Sequence, residues 1–172
     1  MKHLSLPVSD KNIMKRYKCK EEILVDGVIY TARDTVHHLV FSEKAEWPFP
    51  LSGSAIFYTG PTHSVPGFPL GSCGPTTSSR MDRYTPGLYG QGLAVTIGKG
   101  PRSPEVVKSI KKNTGLYLIA YGGCGALYGS RVTDARLIGF RDLGPQAVYR
   151  IEVRDFPVIV GIDTDGADIY GT

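Results

Sequence analysis

Residues 74–82, GPTTSSRMD, place hydroxyl and cationic side chains where they could bind a small anion. A rigid Gly-Pro turn is followed by four hydroxyl residues and then by Arg80. If a helix begins here, free backbone N–H groups and hydroxyls converge on one point. Arg80 could then bind a carboxylate through two hydrogen bonds. A simple helix cap needs only one hydroxyl, so the segment favours an anion-binding site.

Two further segments place a cationic side chain at the predicted end of a strand. Arg33 and Asp34 lie where a strand gives way to a helix in TARDTVHH, residues 31–38. Taken alone, that segment also fits a surface ion pair beside a helix cap. Lys99 follows an apolar strand in GKGPRS, residues 98–103. This loop lacks the pattern of a nucleotide-binding phosphate loop, so Lys99 is either a point charge for a small anion or a surface lysine.

Adjacent histidines and scattered cysteines carry weaker signals. His37 and His38 face different sides of the predicted helix, so we expect one to be packed and the other exposed, with no shared metal ion. The cysteines are odd in number and widely spaced, which predicts neither a disulfide framework nor a metal site. They are Cys19, Cys73 and Cys124. The glycine-rich loop 122–125 fits either backbone contact with a ligand or close packing of a helix on a sheet.

The elements that must position these residues are mixed helices and strands. Residues 21–31, EEILVDGVIYT, are predicted to form a β-hairpin that turns at Asp26-Gly27. Predicted helices run from Asp34 to Glu43, from near Thr77 past Met81, and from Ser103 to Gly115. Further strands are predicted at 55–58, 93–97, 116–121, 132–140, 147–153 and 158–163. The pattern indicates a single α/β domain over residues 1–172.

Composition excludes several classes of partner. The net charge of +4 is mild, which helps a small anion approach but is not typical of nucleic-acid binding. The apolar runs are too short to span a bilayer, and the first ten residues lack the apolar stretch of a signal peptide. We therefore expect a cytoplasmic protein with neither a nucleic-acid nor a membrane partner.

Taken together, the motifs resemble the C-terminal, or β, region of class I fumarases and the related tartrate dehydratases. The matching motifs are YTARDTVHH at 30–38, IFYTGP at 56–61, GPTTSSRMDRYTP at 74–86, IGKGPRS at 97–103, YGGCGAL at 121–127 and DLGPQAVYRIEVRDFPVIVGIDTDG at 142–166. They occur in the family's order and cover nearly all of the chain, and the pair GPTTSxRMD and GKG is specific. The resemblance implies a swivelling β/β/α fold in one domain.

The resemblance also implies an activity, the reversible hydration of fumarate to (S)-malate. In the family a [4Fe–4S] cluster is held by cysteines of the α region, and its open iron acts as a Lewis acid. This chain resembles the separate β subunit, which binds no metal itself and pairs with a fumarase α subunit in a heterodimer or heterotetramer. Isolated β chains are expected to self-associate through an exposed apolar partner surface.

Five residues match the substrate site of the family. Arg33 and Arg80 match arginines that bind the carboxylates of the dicarboxylate substrate, and Thr76 and Thr77 match threonines that contact it. Lys99 matches a lysine that stabilises the charge of an aci-carboxylate intermediate. Thr76, as the proton-transfer residue, and Lys99 are the catalytic candidates.

Two departures from the family pattern and two alternative functions accompany this assignment. His37-His38-Leu39 stands where the family often has His-Lys-Arg, and Cys124-Gly125 stands in place of a run of small residues.

The alternative functions are the β subunit of L(+)-tartrate dehydratase and a non-catalytic module that binds small carboxylates. Asp82 and the YTP and GKGPRS motifs that follow it favour the fumarase branch.

Overall fold

The computed structural model describes residues 1–171, in which short helices surround a curved β-sheet. The strands are β1 (Lys2–Leu6), β2 (Glu22–Thr31), β3 (Ala55–Phe57), β4 (Val95–Gly98), β5 (Leu116–Ile119), β6 (Val132–Gly139) and β7 (Val148–Ile162). The helices are α1 (Asp34–Ser42), α2 (Thr85–Gly90), α3 (Pro104–Asn113) and α4 (Gly125–Ser130), with 3-10 turns at Lys11–Arg16, Ser78–Met81 and Arg141–Gln146. No helix within these residues is long and apolar enough to cross a membrane.

The sheet closes on itself in a barrel-like arrangement. Strands β2, β3, β4 and β5 are parallel neighbours in that order. Strand β7 pairs antiparallel with β5 at one end and with β2 along most of its length, which completes the ring. Strand β1 extends β2 in parallel, and β6 pairs antiparallel with β7. The prediction of a single small domain with mixed helices and strands is confirmed.

Alternation along each strand separates an apolar interior from the layer that the helices cover. Ala55 and Phe57 point into the main core, whereas Ile56 of the same strand packs with residues of α1 and α2. In β5, Leu118 faces the main core and Tyr117 packs under α3. This period of two is the ordinary geometry of a strand. It places the outer-face side chains of β4 and β5 next to the loops that follow these strands.

The predicted hairpin at residues 21–31 is wrong, because β2 is one continuous strand. Asp26-Gly27 forms a bulge in the pairing with β7 rather than a turn, and Gly27 has a φ of +101°. The strand continues because β1 and β7 bond it from both sides. A turn at Gly27 would break both ladders.

The two predicted strands 147–153 and 158–163 are likewise parts of the single strand β7. Asp155 bends this strand with a φ of +50°. The bend is secured because the backbone N–H of Asp155 donates to Oδ1 of Asp26 at 2.8 Å. The predicted helix at Thr77 is also shorter than expected, a 3-10 turn at Ser78–Met81 followed by α2.

Replacing Gly27 by alanine should destabilise the fold more than a positive φ alone explains. A Cβ at Gly27 would lie 2.1 Å from the carbonyl oxygen of Leu6. Gly67→Ala is a matched control, because Gly67 has a φ of +87° with no atom within 4 Å of the added Cβ. We expect a loss in the free energy of unfolding of about 1 kcal/mol for Gly67→Ala and at least about 3 kcal/mol for Gly27→Ala. Equal losses in denaturant titrations would contradict the close packing of β1 on β2.

Candidate active site

The carboxyl ends of β2, β3 and β4 lie side by side and position the predicted site residues. Arg33 follows the end of β2, and Lys99 directly follows β4. Residues 75–78 cross the ends of β3 and β4, with Pro75 bridged to Thr59 and Thr77 to Lys99. Because the strands are parallel, their loops project from one edge of the sheet, where ligands commonly bind in such sheets.

Backbone hydrogen bonds fix the threonine segment against the lysine loop. The N–H of Thr76 donates to the carbonyl of Tyr58 at 2.6 Å, and the N–H of Lys99 donates to the carbonyl of Thr76 at 3.3 Å. The N–H of Ser78 in turn donates to the carbonyl of Lys99 at 2.9 Å. The positions of Thr76, Thr77 and Lys99 are therefore set by main-chain geometry.

Glycine is required at position 98, the last residue of β4. A Cβ on Gly98 would lie 2.0 Å from Oγ of Ser78 and 2.9 Å from the ring of Tyr58. Any larger residue would have to displace the side chains of Ser78 and Tyr58. This close approach forms the floor of the candidate site.

Four of the predicted side chains have no protein partner. Within residues 1–171, no hydrogen bond or ion pair engages the side chains of Thr76, Thr77, Arg80 and Lys99. Arg80 and Lys99 are exposed, and both threonines are half-buried. Free cations and hydroxyls on a fixed backbone suit an anion with several oxygen acceptors.

Arg33 lies at the same edge but is partly engaged. Its side chain is 26% exposed, and its Nε lies 3.7 Å from Oδ1 of Asp34, which is too long for a hydrogen bond. Both atoms are buried without a hydrogen-bond partner. Arg33 therefore keeps donors available for a ligand. Asp34 was predicted to cap α1, but Arg33 occupies the N-cap position and no side-chain cap bond forms.

In the glycine-rich loop at residues 122–125, Gly125 fits the packing interpretation, whereas an added Cβ at Gly122 or Gly123 would have no atom within 4 Å. A Cβ on Gly125 would lie 2.2 Å from Oγ of Ser72, and the carbonyl of Gly125 accepts the N–H of Cys73 at 2.9 Å. One turn later, a Cβ on Gly129 would lie 2.3 Å from the carbonyl oxygen of Gly71. These glycines let α4 pack closely against residues 71–74.

A buried ion pair behind the site was not anticipated from the sequence. Nε of Arg102 donates to Oδ1 of Asp82 at 2.6 Å, and Arg102 is 3% exposed. Nothing in the local sequence distinguishes this arginine from the exposed Arg80. The available signal was Thr96, a polar residue in the middle of an apolar strand, which needs a buried polar partner.

The buried side chain of His37 donates a hydrogen bond to the backbone of Arg33. Its Nδ1 lies 2.7 Å from the carbonyl oxygen of Arg33, so Nδ1 carries the proton and Nε2 is left buried without a partner. The rings of Trp47, Tyr58 and Tyr84 enclose the imidazole with centroids 5.3 to 5.8 Å away. This burial lowers the pKa of His37 from 6.5 to about 4, because it disfavours the charged form.

The neighbouring His38 is exposed, and its Nδ1 lies 3.2 Å from Oγ of Ser42. The expectation that one histidine is packed and the other exposed is confirmed. The departure from the family's His-Lys-Arg therefore falls on exposed His38 and half-buried Leu39, and leaves His37 in the packed position.

The cysteines of this chain do not form a ligand set for an iron–sulfur cluster. Cys73 is buried in the main core, where burial raises the pKa of its thiol to about 12. Burial also raises the pKa of Cys19, whose Sγ contacts the carbonyl of Gly161. In the part of the chain that the structure describes, the one group of three potential metal ligands contains no cysteine. A [4Fe–4S] cluster therefore does not fit the donors present here.

The buried imidazole of His37 should make the fold sensitive to acid. Because the pKa of about 4 in the folded state lies below the value of 6.5 for an exposed histidine, the unfolded state binds more protons between these values. Stability should therefore fall as the pH drops from 6.5 to 4, by up to about 1.4 kcal/mol per pH unit from this group. His37→Phe should remove this part of the pH dependence, and His38→Gln should retain it. Urea titrations at pH 7, 5.5 and 4.5 would contradict the assignment if His37→Phe kept the wild-type slope.

Comparison with known proteins shows the family to which this chain belongs. The family described as Fumarase C-terminus matches residues 1–172. The chain is 34% identical over 163 residues to fumarate hydratase 2 of Leishmania major, and 32% identical over 163 residues to the anaerobic class I fumarate hydratase of Escherichia coli K12. These matches cover 91% of this chain but only 28% and 30% of the two enzymes.

A shorter relative is covered over most of its length. The subunit beta of L(+)-tartrate dehydratase of Shigella sonnei is 33% identical over 160 residues, which span 87% of this chain and 80% of that subunit. The chain thus spans under a third of these two fumarate hydratases and most of the tartrate dehydratase subunit. It belongs to the family of fumarase C-terminal domains.

Proposed function

We propose that this chain supplies the carboxylate-binding groups of a fumarate hydratase, which reversibly hydrates fumarate to (S)-malate. The observation that carries the proposal is the set of unpartnered cationic and hydroxyl side chains on the carboxyl edge of the parallel strands. Family membership supports a lyase that acts on a small dicarboxylate. Similarity to several class I fumarate hydratases favours fumarate among such substrates.

Each residue has a distinct role in the proposed reaction. Arg33 and Arg80 bind the two carboxylates and thereby orient the carbon–carbon bond that reacts. In the direction of dehydration, Thr76 accepts the proton that leaves the carbon next to one carboxylate. Lys99 stabilises the negative charge that develops on that carboxylate, and Thr77 donates a hydrogen bond to the substrate. Loss of hydroxide from the adjacent carbon gives fumarate, and the proton taken up at Thr76 is returned to that hydroxide to form water.

The site is open, which argues for a second protein surface. Water reaches both Arg80 and Lys99, whereas such chemistry is favoured where water is excluded. Clefts of about 310 and 250 Å³ lie elsewhere, and both include Thr62 and Leu70 in their walls. A third cleft, of about 370 Å³, is lined by Asp82, Ser103 and their neighbours, beside the segment that carries Arg80, and it too is open to solvent. A threonine hydroxyl is also a weak base, and no hydrogen bond within residues 1–171 activates Thr76.

The proposed partner is a fumarase α subunit that holds the [4Fe–4S] cluster, in a heterodimer or heterotetramer. When bound there, the cluster would supply Lewis-acid chemistry to the hydroxyl group. The absence of a cysteine ligand set in this chain supports placing the cluster on the partner. Self-association of the isolated chain, a cytoplasmic location and the swivelling β/β/α architecture remain predictions.

One observation favours a second candidate, the β subunit of L(+)-tartrate dehydratase. The match covers 80% of the length of that relative, and the relative's name describes a separate subunit. Tartrate has two carboxylates, so the same arginines and lysine could bind it. A module that binds carboxylates without turnover would use the same groups without the partner.

The test is an anaerobic assay of this chain mixed with a cluster-loaded α partner, which follows the absorbance of fumarate. We expect activity only in the mixture. Arg80→Ala should lower kcat/KM by about 10²–10³-fold, because it removes a charge-assisted carboxylate contact of about 3–4 kcal/mol. Arg136→Ala is the matched control, since it removes a 72% exposed arginine side chain that only pairs with Asp134.

Each outcome decides between the candidates. Turnover of tartrate but not fumarate would establish the tartrate dehydratase alternative. Full activity of the α partner alone would refute a catalytic contribution from this chain. Saturable binding of fumarate to this chain, with no turnover in any mixture, would favour the non-catalytic module.

A further inference from the structure

Arg102 is enclosed directly behind the candidate site. Its side chain is 0% exposed and each nitrogen has an acceptor. Nε donates to Asp82 Oδ1 at 2.6 Å, Nη1 donates to Thr96 Oγ1 at 3.1 Å, and Nη2 donates to Thr85 Oγ1 at 2.8 Å. The guanidinium carbon also lies 4.8 Å from the ring centroid of Tyr117. Arg102 therefore cannot reach a substrate at the exposed edge.

Asp82 uses both carboxylate oxygens in this network. While Oδ1 accepts Arg102, Oδ2 accepts the backbone N–H of Ser103 at 2.7 Å. Asp82 directly follows the 3-10 turn at Ser78–Met81, and Ser103 is the N-cap of α3. This carboxylate thus joins the end of the segment that carries Arg80 to the end of the loop that carries Lys99.

The beginnings of the same two segments are joined separately. The backbone bonds between residues 76–78 and Lys99 form one connection. The hydroxyl of Tyr117 forms another, because it lies 3.0 Å from Oγ of Ser78 and donates to the carbonyl of Gly100 at 2.8 Å. The two segments are therefore attached to each other at both ends.

We propose that Arg102 and Asp82 act as positioning residues that fix Arg80 relative to Lys99. With the backbone connection alone, the turn that carries Arg80 could pivot about Ser78 while Lys99 stayed in place. The ion pair removes that freedom, so the backbone positions that carry the two exposed cations keep one separation. What they bind rests on the function proposed above, in which this separation must match a dicarboxylate.

The most informative variant is Arg102→Lys, which keeps the positive charge and removes the planar guanidinium group. A single ammonium group cannot reproduce the directions of the three guanidinium nitrogens. In the complex with the α partner, we expect kcat/KM to fall by about 10–100-fold, mostly through kcat, because a displacement of about 1 Å can reduce a rate 10²-fold. In the isolated chain, the amide of Ser103 should exchange hydrogen faster, while the amides of Ser78 and Lys99 keep their protection.

A matched control separates positioning from loss of stability. Met14 is fully buried in the main core, within the 3-10 turn at Lys11–Arg16. Met14→Ala should lower the Tm by at least as much as Arg102→Lys. It should leave both kcat/KM and the exchange rate of Ser103 at their wild-type values, measured where all variants are folded.

Wild-type kcat/KM in Arg102→Lys, or wild-type protection of Ser103, would overturn the proposal. If Arg102→Lys does not fold, Asp82→Asn tests the same pair while it keeps the side-chain volume. If the wild-type complex turns over no diacid, the proposed function fails, and the exchange of Ser103 still decides whether the pair positions these loops. Equal losses of kcat/KM in Arg102→Lys and Met14→Ala would assign the effect to stability alone and refute the positioning role.

Discussion

The antiparallel ladder between β2 and β7 is the interaction on which the rest of the structure depends. Strand β2 carries the parallel neighbours β1 and β3, and β7 carries β5 and β6. Strand β4 joins the two sets on one side, and the pairing of β2 with β7 closes the sheet on the other. Both strands are long, and each curves around the core because it bends locally, at Gly27 in β2 and at Asp155 in β7.

The closure of the sheet limits where a substrate can bind. The interior of the ring is filled by apolar side chains, including the contacting rings of Phe57, Tyr128 and Phe156. Such an apolar core offers few partners to a polar substrate, so polar binding groups are expected on loops at the strand ends. The parallel order of β2 to β5 brings those loops to one edge. The outer face of β4 and β5 then provides Thr96 and Tyr117, around which the buried charge of Arg102 is accommodated.

The positions of the helices and strands could be predicted from the sequence better than the pairing of the strands. The strand ends that carry Arg33 and Lys99 could be located, because apolar runs stop there at charged or glycine residues. The hairpin at Asp26-Gly27 was wrong because a turn signal is local, whereas the continuation of β2 depends on two partners distant in the chain. The single strand β7 was divided for the same reason, since Asp155 and Asp26 are 129 residues apart in the sequence and meet only in the fold. The ion pair of Arg102 with Asp82 was not predicted, because an arginine's burial is not encoded by its neighbours and Thr96 indicates only that some polar partner is buried beside β4.

The glycine at the end of β4 has a consequence for how such a domain could acquire a different substrate. A side chain at Gly98 would have to displace the side chains of Ser78 and Tyr58. Substitutions there would damage the packing of the strand end rather than reshape a pocket. Under the proposed function, selectivity among diacids of similar length would therefore have to diverge at the exposed tips of the loops or on the surface of the proposed partner. Such a scaffold would keep the proposed carboxylate-binding groups constant while the choice of substrate evolves elsewhere.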